Sequence, residues 1–327
     1  MLSANRSASG LVYALLSAAT FGISGPLGKS LLEAGWSTGA TVGTRIGLAA
    51  LVMLVPTLVM LRGRWAQLRR GLGIMAGYGI VAVAVCQFCY FNAVSRMSPP
   101  VALMLEYLAP IVIVGWMWAR SRRRPGLLTI AGTVIAMLGL VVVLNLFSAT
   151  RVDPVGVLWG LGAAVCLAVY FLLSAKADGV LPPFAMVGGG MVFGALAIGV
   201  LAAVGVLPLA ANFGTVELQG VETSWIVPIL GITLVAAVAA YSLGIVGAQR
   251  LGPKVASFVS LTEVLFSVVA SWLLIGDVPA PVQALGGALI VVGVILVRVD
   301  ELRAPVPELA QPMPAEPLPP EISARSA

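Results

Sequence analysis

The chain has 327 residues, of which 60% are apolar and only 10% are charged, and it contains no histidine. A water-soluble fold cannot bury so large an apolar share, so the composition excludes an ordinary soluble protein and indicates that lipid surrounds much of the chain. The formal net charge is +6, but the basic residues collect in short links between apolar runs, which argues against a nucleic-acid partner.

The three cysteines all lie inside apolar runs. Cys86 and Cys89 form a C-x-x-C pair, but the chain has neither a second pair nor a histidine to complete a zinc site. We therefore interpret the cysteines as small helix-packing residues, and we expect no metal site and no cofactor.

Ten apolar runs of roughly 20 residues follow one another, each long enough for a helix to cross a hydrocarbon core of about 30 Å. Backbone groups in lipid must bond within their own segment, and barrel strands would be about half this length, so these runs are expected to be helices. In the first half they are Leu11–Leu32, Thr38–Leu61, Gly71–Val94, Pro100–Trp118 and Gly126–Phe147. In the second half they are Val155–Ala175, Phe184–Leu207, Ser224–Ala248, Val255–Ile275 and Pro281–Val297.

Lysine and arginine are distributed unevenly between the links that join these runs. With the N-terminus placed in the cytoplasm, the outer links hold only Arg96, Arg151 and Lys29, and nearly all other basic residues fall on the inner side. The positive-inside rule then predicts a plasma-membrane protein with both termini cytoplasmic. Residues 1–10 form the predicted cytoplasmic N-terminus, and residues 304–327 form a proline-rich tail that is expected to be disordered.

One short pattern occurs twice in the chain. Arg96 is followed by Pro99 and then Val-Ala, and Arg250 is followed by Pro253 and then Val-Ala. Each copy lies between two apolar runs, so the chain is predicted to contain two five-helix repeats, over residues 11–147 and 155–298. Five is an odd number, so the second repeat must be inverted in the membrane, a geometry that is typical of alternating-access transporters. The predicted fold class is an all-α integral membrane protein with ten transmembrane helices.

Several motifs then point to a family. They are Thr44–Ala50, Leu108–Pro110, Leu261–Val264, Leu274–Asp277 and Gly286–Gly293. Together they resemble the motifs of the ten-helix EamA-type branch of the drug/metabolite transporter superfamily, over about residues 10–300. Ala109, Val264 and Asp277 depart from the family pattern, which has Glu, Pro and Glu at these places. The resemblance implies export or exchange of small polar metabolites, often amino acids or amphipathic compounds, through a cavity between the two halves.

Apart from Lys29, near the outer end of the first span, three charged residues lie within predicted spans: Arg45, Glu106 and Glu263. A charge at the bilayer centre costs about 2.5–3.5 kcal/mol on insertion scales, so each of them needs a partner or a wet cavity. Arg45 and Glu106 lie at a similar depth, about 10 Å below the outer boundary, so they could form an ion pair that serves as a structural clamp or as a gate. The ninth helix enters from the inner side, with Glu263 about 12 Å deep. Glu263 could carry a proton or contact a substrate, or it could form a hydrogen bond to Thr262, Ser260 or a helix end.

Other polar residues in the spans are candidates for contact with a substrate, or else form hydrogen bonds between helices. They are Tyr78, Gln87, Tyr107, Tyr170, Tyr241 and Thr262. Tyrosine faces can bind cationic groups, and tyrosine hydroxyls can orient a polar solute. Pro26 and Pro110 are hinge candidates, although static kinks would leave the same sequence signal.

These features predict a secondary transporter, an exporter of small polar or amphipathic, amino-acid-like metabolites, with the lipid bilayer and a small solute as its partners. With no histidine, any proton coupling would depend on Glu106 and Glu263. An integral membrane enzyme acting on lipid, or a passive channel, is the alternative, although the chain has no metalloprotease or serine-hydrolase motif and no catalytic residue is assigned. Gly22–Ser30 resembles a phosphate-binding loop but has one residue too many between its outer glycines. The oligomeric state stays open.

Overall fold

The protein is described here by a computed structural model that covers residues 2–94, 96, 99–122, 125–143, 153–218, 220–275 and 281–303. The predictions for Arg151, Asp277 and the tail from 304 to 327 lie outside these residues. Within them, fourteen α-helices, two π-helical segments and one two-stranded sheet make up the structure.

The elements follow the predicted spans in order. The first half contains α1 (Leu2–Gly22), α2 (Ser24–Glu33), α3 (Thr38–Leu61), α4 (Trp65–Gly77), α5 (Cys86–Val94), α6 (Pro99–Glu106), α7 (Ala109–Ser121) and α8 (Leu127–Val143), with a π-helical segment over Tyr78–Val85. The second half contains α9 (Pro154–Lys176), α10 (Pro183–Ala203), β1 (Thr215–Leu218), β2 (Val221–Ser224), α11 (Ile226–Leu230), α12 (Ala240–Ser260), α13 (Glu263–Ile275) and α14 (Pro281–Arg303), with a π-helical segment over Gly231–Ala239.

We number the membrane spans 1 to 10. They are α1–α2, α3, α4–α5, α6–α7, α8, α9, α10, α11 to Leu251, Pro253 to α13, and α14. Spans 8 and 9 are separated inside α12 by Gly252, whose φ of 79° is a conformation that favours glycine. The predicted fold class of ten membrane helices is thereby confirmed, although α1 begins at Leu2, well before the predicted start at Leu11.

Lipid is the solvent that this surface requires. Within the described chain, six helices are long and apolar enough to cross a membrane, and the remaining spans contain shorter apolar helices. On α3 a stripe of apolar side chains faces outward, with Leu51, Val55 and Val59 exposed to 66%, 67% and 68%. Exposure of neighbouring apolar residues one turn apart is typical of a lipid-facing helix surface.

The contacts between spans repeat under exchange of the two halves. Span 1 packs on span 8, and its counterpart span 6 packs on span 3; span 7 packs on span 3, and span 2 packs on span 8. Spans 5 and 10 pair with each other, as do spans 2 and 7. A two-fold axis in the membrane plane requires this pattern, so the packing agrees with an inverted repeat.

The closest approach of helices occurs at glycines. A Cβ atom added to Gly79, in the first π-helical segment, would overlap the carbonyl of Gly190 in α10. Small residues at such crossings let two backbones touch, which is how helices associate when lipid removes the hydrophobic driving force between them. The crossing of spans 3 and 7 therefore depends on the missing side chain.

We expect Gly79→Ala to destabilise the folded protein by about 1–3 kcal/mol, because the added methyl must push two backbones apart. Gly73→Ala is the matched control, since Gly73 precedes it in the same span and has no described heavy atom within 4 Å of its added Cβ. Thermal unfolding in detergent measures both variants. An equal midpoint for the two would contradict the proposed packing role of Gly79.

Within the described residues, a β-hairpin is added to the predicted all-helical architecture. β1 and β2 pair in an antiparallel register and belong to the link between spans 7 and 8. This link covers one end of spans 1 and 2: the indole N–H of Trp36 donates to the carbonyl of Asn212 at 2.6 Å, and the Ser37 hydroxyl donates to the carbonyl of Pro208 at 2.7 Å. Val216 of β1 is buried in the same apolar cluster as Trp36.

Candidate functional site

Spans 4 and 9 are both interrupted beside a carboxylate. In span 4, α6 ends at Glu106 and α7 begins at Ala109; in span 9, α12 ends at Ser260 and α13 begins at Glu263. In span 4 the cause is local, because Pro110 has no N–H to donate to the carbonyl of Glu106. The two interruptions lie at corresponding places of the two repeats, which is where inverted-repeat transporters form their binding sites.

Span 9 is interrupted without a proline. The N–H groups of Leu261 and Thr262 donate three residues back, to the carbonyls of Phe258 and Val259, so the chain tightens for one turn before α13 begins. Glu263 thus opens a new helical segment. The sequence carries no signal for this interruption, apart from its alignment with the break in span 4.

Span 1 is also broken. Its first helix ends at Gly22 and its second begins at Ser24, two residues before Pro26. Pro26 has no N–H for the carbonyl of Gly22, which explains the break. Both hinge candidates, Pro26 and Pro110, therefore lie at interruptions of their spans, and movement about them stays a prediction.

The two π-helical segments occupy corresponding places as well, in spans 3 and 8. Long π-helical runs are rare, and π-bulges are common at functional sites. One consequence is visible at Ala236, whose carbonyl accepts a hydrogen bond from the Arg45 guanidinium in addition to its place in the helix. Neither π-helical segment was predicted from the sequence, because the apolar composition of both is indistinguishable from that of an α-helix.

A central cavity of about 90 Å³ lies between the two halves. That volume holds several water molecules, since one needs roughly 10–15 Å³. Most of the predicted site residues line it: Arg45, Gln87, Glu106, Tyr107, Tyr170, Tyr241 and Glu263. The other two lie outside the lining: Tyr78 is fully buried against the rings of Tyr170 and Tyr241, and the Thr262 hydroxyl donates to the carbonyl of Val259 at 2.7 Å.

Arg45 is almost completely buried and connects four spans. Its Nη1 donates to Ser24 Oγ at 2.9 Å and to Gln87 Oε1 at 3.2 Å, and its Nη2 donates to the carbonyl of Ala236. Gln87 continues the network, because its Nε2 lies 3.3 Å from the Tyr241 hydroxyl. A guanidinium has five N–H donors, so two of them are left without a partner among the described residues.

The ion pair between Arg45 and Glu106 is not formed in this structure. Among the described residues, no ion pair within 4.0 Å includes either group, because Gln87 and Ser24 take the guanidinium instead. Glu106 accepts instead from the thiol of Cys86, which lies 3.6 Å from Oε1. The alternatives of clamp and gate for Arg45 and Glu106 therefore both stay predictions.

The two carboxylates share one cavity. From the sequence, Glu106 and Glu263 were expected on opposite sides of the midplane. Both line the same central space, and they are close enough to interact electrostatically. Glu263 lies beside Tyr107. One cavity therefore connects both carboxylates, and their places relative to the midplane stay a prediction.

Aromatic rings form the rest of the wall. Phe21 packs edge-on against Tyr241 at 4.8 Å, and Tyr170 packs against Tyr241 at 5.8 Å and Phe171 at 4.9 Å between ring centres. The Tyr170 hydroxyl is buried and has no hydrogen-bond partner among the described residues. One cation, two carboxylates and aromatic faces can bind a small solute that carries both charges.

Comparisons with known proteins support a transporter. The sequence model of the EamA-like transporter family matches residues 8–145 and 154–299. The chain is 26% identical to the "Uncharacterized inner membrane transporter YicL" of Salmonella typhimurium, over 69% of this chain and 73% of that protein. It is 25% identical to the "Threonine/homoserine exporter RhtA" of Escherichia coli K12, over 75% of this chain and 79% of that protein.

A solved crystal structure has the same fold. It superposes with a TM-score of 0.69 at 20% identity, and the match covers 90% of this chain and 98% of the other. The family match spans most of the chain in two copies, which confirms the resemblance drawn from the motifs and overturns the alternative of a lipid-acting enzyme. The chain is thus a member of the EamA-like transporter family, a multi-pass integral membrane transporter.

Proposed function

We propose that this protein exports small polar or amphipathic metabolites of the amino-acid type by alternating access. The observation that carries the proposal is the central cavity, in which one buried cation, two carboxylates and aromatic walls converge at the interruptions of spans 4 and 9. A relative of this chain is named a threonine/homoserine exporter, which agrees with the same substrate class.

The charges of the cavity fit a zwitterion. Arg45 has two N–H donors without a partner among the described residues, and a planar guanidinium suits a carboxylate. Glu106 and Glu263 offer oxygens for an ammonium group, and the faces of Tyr170 and Tyr241 can stack on the cation or on an apolar side chain. A bound α-amino acid would therefore satisfy charges that the protein leaves unmatched.

Movement of the halves has a basis in the same elements. Spans 4 and 9 are interrupted beside the cavity, and spans 3 and 8 contain π-helical segments, so each repeat has irregular helix geometry at corresponding places. Rocking about such points would open the cavity first to one side and then to the other. We further propose that Glu106 and Glu263 carry the coupling proton, that both termini are cytoplasmic and that the plasma membrane is the location.

Transport by the purified protein in vesicles tests this proposal. We expect radiolabelled amino acids such as threonine and homoserine to exchange against the same solute trapped inside, and an imposed pH gradient to drive net accumulation. A passive channel would equilibrate solutes without accumulating them. The proposal would be abandoned if folded protein, in vesicles that hold a pH gradient, exchanged no amino acid at all.

A further inference from the structure

A second, larger recess lies away from the transport cavity. It is a groove of about 1070 Å³ between spans 1 and 8 on one side and the ends of spans 2 and 7 on the other. We call it the lateral groove; its walls include Met60, Phe184, Leu243 and Val246, with Arg250 at one end. Small-solute pockets have volumes of about 300–1,000 Å³, so this groove exceeds what an amino acid needs.

The duplicated arginine is used differently in the two repeats. Arg96, in the first copy, forms an ion pair with Asp153 at 3.4 Å. Arg250, in the second copy, has only neutral partners among the described residues: its Nη1 donates to Ser9 Oγ at 2.6 Å, and its guanidinium lies over the ring of Tyr13, 4.7 Å from the ring centre. Within the part of the chain that the structure describes, no carboxylate therefore pairs with Arg250.

The residues near Arg250 show the same contrast between a paired and an unpaired cation. Lys254, one turn further along, is neutralised by Asp300 at 3.7 Å. Beside Arg250, the Nε2 of Gln249 is buried along the groove without a hydrogen-bond partner among the described residues. An uncompensated cation next to an unused amide donor is the pair of groups that an anionic head with an adjoining carbonyl would satisfy.

The length of the groove matches one leaflet. Val238 lies at the other end from Arg250 and is about 18 Å away along the span, at 1.5 Å per residue. Half of a hydrocarbon core is about 15 Å, so the groove runs from the interface to near the bilayer centre. Arg250 belongs to the side where basic residues collect, the predicted cytoplasmic side, on which anionic lipids attract basic groups.

We propose that the lateral groove binds one anionic glycerophospholipid of the cytoplasmic leaflet. Its phosphate lies at Arg250, an ester carbonyl accepts from Gln249, and one acyl chain fills the apolar length towards Val238. Asp178 lines the same groove and has its own interactions. Lipid at this seam between spans 1, 2, 7 and 8 contacts elements of both halves, so it would influence their movement.

Native mass spectrometry of the purified full chain tests the site without any transport assay. Phosphatidylglycerol and phosphatidylcholine with identical acyl chains are titrated as probes. We expect tighter binding of phosphatidylglycerol by the wild-type protein, and about fivefold weaker binding by Arg250→Gln, the loss expected for one basic residue at a lipid surface. Arg96→Gln is the matched control from the other repeat, and it is expected to bind as the wild type does.

A second variant tests the acyl part of the groove. Val246→Trp leaves Arg250 in place, and the larger side chain occupies the apolar part of the groove, so it should weaken the binding of both lipids. The proposal is overturned if folded Arg250→Gln keeps the full preference for phosphatidylglycerol, or if Arg96→Gln loses it equally. Should Arg250→Gln not fold, unchanged lipid binding by folded Val246→Trp overturns the proposal. Displacement of the lipid by transported amino acids would do the same, because it would assign the groove to the transport path.

Discussion

Glu263→Gln is expected to abolish accumulation driven by a pH gradient while it leaves exchange of labelled substrate across the membrane intact. Glutamine has nearly the shape of a protonated glutamate but cannot release a proton, so the carrier would still change conformation without coupling. Glu263 lines the cavity at the start of α13, within electrostatic reach of Glu106 and beside Tyr107. A buried carboxyl at such a position is the group expected to exchange a proton during transport.

Two measurements in the same vesicles check this: exchange at equal pH on both sides, and uptake under an imposed gradient. Glu217→Gln is the matched control, because Glu217 is an exposed carboxylate on β1, away from the cavity. Full gradient-driven uptake by Glu263→Gln would contradict the coupling role. Loss of both exchange and uptake in a folded variant would instead make Glu263 a substrate contact.

Much of the fold could be predicted from the sequence, because the bilayer imposes simple rules. Apolar runs of the length of the hydrocarbon core must be helices, and the duplicated Arg-Pro pattern around Arg96 and Arg250 marks two repeats of odd helix number. The packing of spans 1 to 10 agrees with this architecture. The hairpin at Thr215–Ser224 was not predicted, because its short strands lie outside the membrane, where these rules do not apply.

The individual residues of the candidate site could be predicted from the cost of polar groups in a membrane. A charge or a polar group in a membrane helix is expensive, so Arg45, Glu106 and Glu263 stand out in the sequence before any geometry is known. Most of the polar residues selected in this way line one cavity. Their mutual arrangement was not predictable, because it depends on where the spans are interrupted, and span 9 is interrupted at Leu261 and Thr262 without proline or glycine.

The π-helical segments show the same limit. A wider turn shifts the side chains that follow it and frees carbonyl groups, as at Ala236, which accepts from Arg45 across the halves. No residue in Tyr78–Val85 or Gly231–Ala239 predicts the π-helical geometry, since apolar side chains suit an α-helix equally well. The hydrogen-bond partners of Arg45 could therefore not be predicted from the sequence. In this structure they take the place of the ion pair with Glu106 that equal depth had suggested.

Arg45→Lys is expected to reduce transport of an amino acid by about tenfold or more, although the positive charge is kept. Lysine offers a single ammonium group, which cannot contact Ser24, Gln87 and Ala236 and also present two N–H groups to a carboxylate. Loss of a hydrogen bond to a charged group costs about 1.5–3 kcal/mol, which corresponds to tenfold or more. The proposed carboxylate site would then be lost before the fold is. Transport of a decarboxylated amine, if the wild type accepts one, should fall much less.

The comparison between these two solutes separates the roles that remain open for Arg45. A structural clamp would make Arg45→Lys unstable and would reduce transport of acid and amine equally, since both depend on the same fold. A carboxylate-binding residue would spare the amine and leave the unfolding midpoint within a few degrees of the wild type. Gln87→Glu is the matched test at the residue that accepts a hydrogen bond from Arg45. The new carboxylate beside the guanidinium should compete with the substrate carboxylate, so binding of the amino acid should weaken more than binding of the amine.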